Sequence, residues 1–182
     1  MKIFDPAVYI EKYDGMKIMK NIEKAARTCY KSEANISEDS YKRIITNCLK
    51  SGHESIIEHE KISVKVFGDL SLMQDIPGHR LASFSNESTR YCNYGKNKYE
   101  NQLRMIIPYS TALEMNLTCN IREWRHLLSL RTTFHVHPSI RQLLIPVLVK
   151  FKQDMPELFA DIEYDTEFPK EKYAKVLPLQ II

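Results

Sequence analysis

Glycine is scarce, with five in 182 residues. The chain therefore carries neither the Gly-rich turn of a dinucleotide-binding fold nor a phosphate-cradling P-loop. Nor does it contain a Gly- or Ser-rich linker that would divide it. Cysteine is sparse as well: Cys29, Cys48, Cys92 and Cys119 form no Cys-x-x-Cys pair, which argues against zinc and dithiol chemistry. His53, His59, His135 and His137 have no matched set of carboxylates or thiols at ligand spacing, so no metal is expected. No apolar run is long enough to span a bilayer, and Met1-Lys2-Ile3-Phe4-Asp5-Pro6 lacks the apolar stretch of a signal peptide. The expectation is a cytoplasmic protein with free thiols and no membrane partner. Charge of one sign is also weak. A net charge of +3 is too small to argue for a nucleic-acid partner, although it would not repel small anions.

What remains is the composition of an ordinary globular protein, 43% hydrophobic and 27% charged. The length suits one domain over residues 1–182 with a sizeable core. Residues 6–12 read as a short strand. Ile18, Ile22, Ala25, Ala26 and Cys29 recur at helical spacing, which predicts a helix near 15–29. Ser37 reads as an N-cap, with Ile36 and Tyr41 as a hydrophobic staple across it. That second helix runs on Tyr41, Ile44, Ile45, Cys48 and Leu49 and stops at Gly52. Ile62, Val64 and Val66 alternate with Ser63 and Lys65, as in a half-buried strand. A helical turn falls between Asp69 and Ile76, closed by Pro77-Gly78. Ile121, Trp124 and Leu128 form the stripe of another helix. Pro138 opens the last long one, which Pro146 should bend. The tail after about Glu163 is charged and Pro-bearing, and no function is read from it.

The most informative stretch is Gly78-His79-Arg80-Leu81-Ala82-Ser83-Phe84-Ser85-Asn86-Glu87-Ser88-Thr89-Arg90-Tyr91. A core segment cannot bury that many polar groups without partners. Guanidinium forks and hydroxyls suit phosphate oxygens. If the chain is extended there, Ser88 and Arg90 share a side. Ser88 has no base with a clear claim on it, so phosphate binding fits it better than nucleophilic attack.

His79-Arg80, seven residues, then Ser88 resembles the Arg-His-Arg signature of the flavin-dependent thymidylate synthases. Further segments resemble the same family in order: Ala25-Ala26-Arg27-Thr28-Cys29-Tyr30, Gly52-His53-Glu54-Ser55-Ile56-Ile57-Glu58-His59, Asn120-Ile121-Arg122-Glu123-Trp124-Arg125, Leu130-Arg131 and His137-Pro138-Ser139-Ile140-Arg141. The resemblance covers roughly residues 15–155. It implies an α+β fold, an antiparallel sheet wrapped by helices, assembled as a homotetramer whose sites draw on several chains.

The implied chemistry is methylation of deoxyuridylate (dUMP) to thymidylate (dTMP) by an enzyme that holds FAD. Methylenetetrahydrofolate and NADPH would be its co-substrates. The flavin would relay the carbon and the hydride, so no cysteine nucleophile is needed. By this resemblance His53, Ser55, His79, Arg80, Asn86, Arg131 and His135 would contact the cofactor. Asp75, Glu87, Ser88, Thr89, Arg90 and Arg141 would contact the substrate, with Asn86 also at the edge of the phosphate cradle. Arg141 would be the catalytic residue, stabilising negative charge pushed onto the ring carbonyls by attack at C6. It sits in the first turn of its helix, where the dipole alone disfavours a cation by about 0.3–1 kcal/mol. Two departures stand out. Gly78 replaces the first arginine of the signature, and residues 95–118 join the two halves almost directly where relatives carry a long helical excursion. Both features also fit a non-catalytic, nucleotide- or flavin-binding descendant.

Overall fold

A computed structural model describes residues 6–70, 72–88, 91, 111–168 and 175–178. Its scaffold is a five-stranded sheet in the order β3-β4-β2-β1-β5. Strand β1 spans Ala7–Ile10, β2 Lys61–Asp69, β3 Ser83–Asn86, β4 Ala112–Asn120 and β5 Lys175–Pro178. The first four pair antiparallel, and β5 lies parallel to β1. The α+β expectation is met.

Alternation sets the register. Ile62, Val64 and Val66 of β2 lie opposite Cys119, Leu117 and Met115 of β4, and all six are buried. A slip of one residue would turn that whole set to the other face. On that other face Ser63 and Thr118 face each other, hydroxyl to hydroxyl at 2.8 Å. Gly68 continues the buried row of β2. A Cβ there would crowd the Leu72 Cδ1 methyl of the next turn, so any larger residue would force that side chain to shift.

Helix α1 (Gly15–Tyr30) begins at an Asp14 cap whose side chain accepts from the Lys17 amide, and α2 covers Ser40–Lys50. The Ser37 cap is corrected: Asp39 precedes the helix, and Ser37 donates its amide to Ser40 Oγ at 2.8 Å. Ile36 is exposed, so no apolar staple closes over Tyr41. Gly52 adopts the left-handed φ of 72° just past the helix end, as the stop signal predicts. Helix α1 is clasped to α2 by a buried polar knot. Arg27 donates twice to Glu23 Oε1, at 3.1 and 2.9 Å, and Ser40 Oγ donates to the same oxygen at 2.6 Å.

The other α-helices among the described residues are α3 (Leu72–Asp75), α4 (Ile121–Arg131), α5 (Pro138–Asp154) and α6 (Pro156–Phe159). Leu143 through Leu148 are all buried, Pro146 among them, so α5 is the central helix. Helix α5 continues through Pro146 without interruption. Trp124 of α4 is fully buried, donates to the Ile62 carbonyl at 3.0 Å and meets Phe151 of α5 edge to face. That contact fixes α4 against the end of the sheet. Among the described residues, no helix is long and apolar enough to cross a membrane.

Candidate functional site

Short local bonds and two apolar anchors set the site. Leu72 and Ile76 are fully buried and pin the turn after β2. The Ile76 amide bonds back to Leu72, the His79 amide to Ile76 and the Ala82 amide to His79. These consecutive turns carry the His79 ring inward and leave Arg80 exposed. Opposite them stands α4, capped by Asn120, whose side chain accepts from the Glu123 amide at 2.9 Å.

Between these elements lies a cavity of about 1060 Å³. Ligand pockets typically enclose roughly 300–1,000 Å³, so it has room for a large molecule. Gly78, His79 and Arg80 line one wall, Arg122, Arg125, His126 and Arg131 another, and Glu54 and Asp161 stand at its edges. Four guanidinium groups therefore share one hollow, but they are not equivalent. Arg122 is paired with Glu54 at 3.1 Å and Glu58 at 2.6 Å. Arg125 forks onto both oxygens of Asp161, at 2.8 and 2.6 Å, and holds that carboxyl below its usual range. Among the described residues Arg80 and Arg131 have no carboxylate partner. Arg131 donates instead to two neutral acceptors, His79 Nε2 at 3.2 Å and the Asp75 carbonyl at 2.9 Å.

His79 Nδ1 lies 2.9 Å from Glu123 Oε1, and both residues are buried. Burial outweighs the carboxylate beside it and lowers the His79 pKa below 6.5. Burial pushes the Cys48 and Cys119 thiols up, and none of the described cysteines, Cys29 included, lines this cavity.

The sequence-predicted residues divide. His79, Arg80 and Arg131 come together on the cavity wall, and Asp75 joins them through its carbonyl, its side chain remaining exposed. Ser55 lies exposed on the 3₁₀ turn Glu54–Glu58, next to the lining residue Glu54. His53 faces a second hollow, its Nδ1 3.5 Å from the Tyr30 hydroxyl. Asn86 is exposed on the edge strand β3, and the Glu87 carboxylate accepts from the Glu114 amide of β4 at 3.1 Å. Ser88 is half-buried and accepts the Tyr91 amide at 3.1 Å. His135 is exposed and stacks on Phe134. Thr89 and Arg90 lie outside the described residues. Arg141 is off the cavity: it pairs with Asp165, lies against the Phe168 ring at 4.7 Å, and its buried Nε has no hydrogen-bond partner among the described residues. Sequence reasoning missed Glu123, Arg122 and His126 as lining groups. The run from Asn120 to Arg125 carried the signal, because one face of that capped helix had to point somewhere polar.

The site is thus a cavity beside an α+β sheet, lined by four arginines of which two are paired with carboxylates. The comparisons with known proteins give the family. The family model described as thymidylate synthase complementing protein matches residues 14–102 and 96–157. The flavin-dependent thymidylate synthase of Corynebacterium efficiens is 23% identical over 199 aligned positions, covering 80% of each chain. That of Corynebacterium diphtheriae is 37% identical over 60 residues, which is 33% of this chain and 24% of its own. Among solved structures, the UMP/dUMP methylase PolB of Streptomyces cacaoi bound with 5-Br dUMP superposes with a TM-score of 0.73. It is 19% identical, and the match covers 87% of this chain and 94% of that one. The chain belongs to the flavin-dependent thymidylate synthase family.

Proposed function

We propose that the protein is a flavin-dependent methylase that converts dUMP to dTMP in its large cavity, with FAD as cofactor and methylenetetrahydrofolate and NADPH as co-substrates. One observation carries this reading beyond family membership. Of the four arginines lining the cavity, two remain free of carboxylates among the described residues, and they are the signature Arg80 and the predicted Arg131. The donor set fits the cofactor: guanidinium forks suit its pyrophosphate, and the His79 wall offers a neutral, partly apolar edge. When bound, the flavin supplies the hydride and the carbon relay.

The chain's own residues bind and orient. Arg80, exposed at the rim, meets phosphate first, while Arg131 supplies N–H donors from a fixed position deeper in the wall. Ser55, Asn86, Glu87, Ser88 and His135 lie off this hollow. A homotetramer that brings a second chain's β3 edge and its Ser88 turn to the same cavity accounts for the place of Asn86, Glu87 and Ser88. Arg141 serves the pyrimidine only by exchanging Asp165 for the negative charge that develops on the ring carbonyls.

The test is purification and turnover. The protein should take up FAD and turn yellow. It should then form dTMP only when dUMP, methylenetetrahydrofolate and NADPH are all present. A colourless protein that FAD cannot reconstitute overturns the proposal, and FAD binding without dTMP formation marks a non-catalytic descendant.

A further inference from the structure

Glu123 is a buried carboxylate to which the proposed reaction assigns no role. It occupies the third helical position after its Asn120 cap, where a glutamate normally reaches back to the cap amide. Here it crosses to His79 at 2.9 Å, forty-four positions away in sequence. The partners of the ring fix its protonation. A guanidinium only donates, so His79 Nε2, facing Arg131 Nε at 3.2 Å, must carry a lone pair. The ring proton is then on Nδ1 and points at the Glu123 carboxylate. A doubly protonated ring would set donor against donor at Arg131. Of the five N–H groups on Arg131, His79 and the Asp75 carbonyl engage two, and among the described residues the other three have no partner.

We propose that Glu123 is the positioning residue of this site: through the neutral His79 ring it holds the Arg131 guanidinium on the cavity wall, its charge uncancelled, for an anionic group of the ligand. That the ligand is a flavin or a nucleotide rests on the function proposed above. The contrast with the neighbouring arginines gives the device its purpose. Arg122 and Arg125 touch carboxylates directly and are neutralised where they stand. Arg131 sits one imidazole away from a carboxylate, so it is anchored by that carboxylate without being paired to it. An arginine immobilised before the ligand arrives avoids losing its rotamer freedom on binding.

The same groups invite a second reading, since ligand atoms of His79, Glu123 and His126 lie within 4.8 Å of one another. A cation on His79 Nδ1 would force the ring proton onto Nε2, against the Arg131 N–H. The arrangement therefore disfavours a metal while Arg131 stays in place.

Two measurements test the proposal on the full chain. Long-range nitrogen–proton NMR of ring-labelled histidine should show His79 neutral, with the proton on Nδ1, at pH 7. A proton on Nε2, an imidazolium, or a shift of the His79 and His126 signals with one equivalent of zinc would overturn it. The second measurement is the dissociation constant of FAD and of dUMP in a double-mutant cycle. Glu123→Leu should weaken at least one of them about tenfold, and Glu123→Gln, which keeps the accepting oxygen, less than threefold. His79→Gln places an amide oxygen where Nε2 stood, so Arg131 no longer depends on Glu123. In that background Glu123→Leu should change binding less than twofold. Equal losses in both backgrounds, or a loss with Glu123→Gln matching that with Glu123→Leu, would make Glu123 merely structural. If the unsubstituted protein binds neither FAD nor dUMP, the functional reading fails, and the His79 proton position alone decides this one.

Discussion

Gly78 is the residue at which this chain departs from its family's signature, and its surroundings show that the backbone does not demand glycine. Among the described residues a Cβ there would meet nothing closer than the Asp75 carbonyl at 3.9 Å, and Gly78 lines the cavity. Gly78→Arg should therefore fold normally and add a third unpaired guanidinium to the wall. A charge-assisted contact contributes about 1.5–3 kcal/mol, so FAD or dUMP affinity should rise tenfold or more by titration calorimetry. Unchanged affinity would mean that the ligand does not touch this wall. His79 gives a prediction in pH. Its folded pKa is depressed below the unfolded 6.5, chiefly by burial, with Arg131 and His126 also lowering it and Glu123 opposing them. On acidification the unfolded chain takes up this proton and the folded one does not, so stability is lost as pH falls below about 6.5. Urea midpoints measured from pH 7.5 to 5.5 should fall more steeply for the natural protein than for His79→Gln. At this scale the sequence revealed which residues are polar and clustered, but not their partners. Asn120-Ile121-Arg122-Glu123 reads as a local cap, and nothing in the spacing announces that Glu123 belongs to His79. Likewise Asp75 reads as a side chain near the ligand, yet its carbonyl is what meets Arg131.

Among the elements, two junctions carry sharp consequences. The Glu23–Arg27–Ser40 knot ties α1 to α2 out of water. Breaking a buried pair from one side strands a charge and typically costs about 3–5 kcal/mol, whereas replacing both partners with apolar residues is often neutral. Glu23→Leu should thus lower the denaturation free energy by several kcal/mol, and Glu23→Leu with Arg27→Met should recover most of it. If the double variant is as unstable as the single, the knot is not an isolated pair. Gly68 marks the second junction. An alanine methyl would overlap Leu72 Cδ1, so Gly68→Ala should cost about 1–3 kcal/mol by overpacking. Because Leu72 pins the turn that carries His79, ligand affinity should fall along with stability. The long amphipathic elements were legible: α1 and α4 follow their apolar periods closely, while α2 begins later than the Ser37 cap implied and β2 extends beyond the alternating Ile62–Val66 core. β4 was not, although Leu113, Met115, Leu117 and Cys119 alternate in it. Glu114, Met115, Asn116 and Cys119 are indifferent or poor strand formers, and the alternation alone is a weak signal. β3 escaped because Ser83-Phe84-Ser85-Asn86 is a short polar edge strand whose only described neighbour is β4. β5 depends on pairing with β1, far away in sequence, and nothing local in the tail demands it.

At the scale of the whole molecule, one chain brings His79, Arg80 and Arg131 to the cavity wall, while the described Ser55, Asn86, Glu87, Ser88, His135 and Arg141 do not line it. Its rim also carries exposed apolar side chains. Leu81 is 73% exposed and Leu130 50%, both lining the cavity, and Phe134 is 67% exposed just beyond α4. Exposed apolar side chains at a cavity mouth suit burial against a partner surface. The homotetramer proposed above puts a second copy over this rim, which would close the hollow and deliver the missing groups together. Assembly and cofactor binding should then be coupled. Leu81→Glu with Leu130→Glu places like charges on the rim without touching the buried core, so the monomer should keep its circular dichroism and its cooperative unfolding. Sedimentation should show a smaller species than the unsubstituted protein. FAD retention should fall in parallel with the loss of assembly, and raising the protein concentration should restore both. A variant that sediments as a monomer yet binds FAD at full strength would show that one chain builds the site alone.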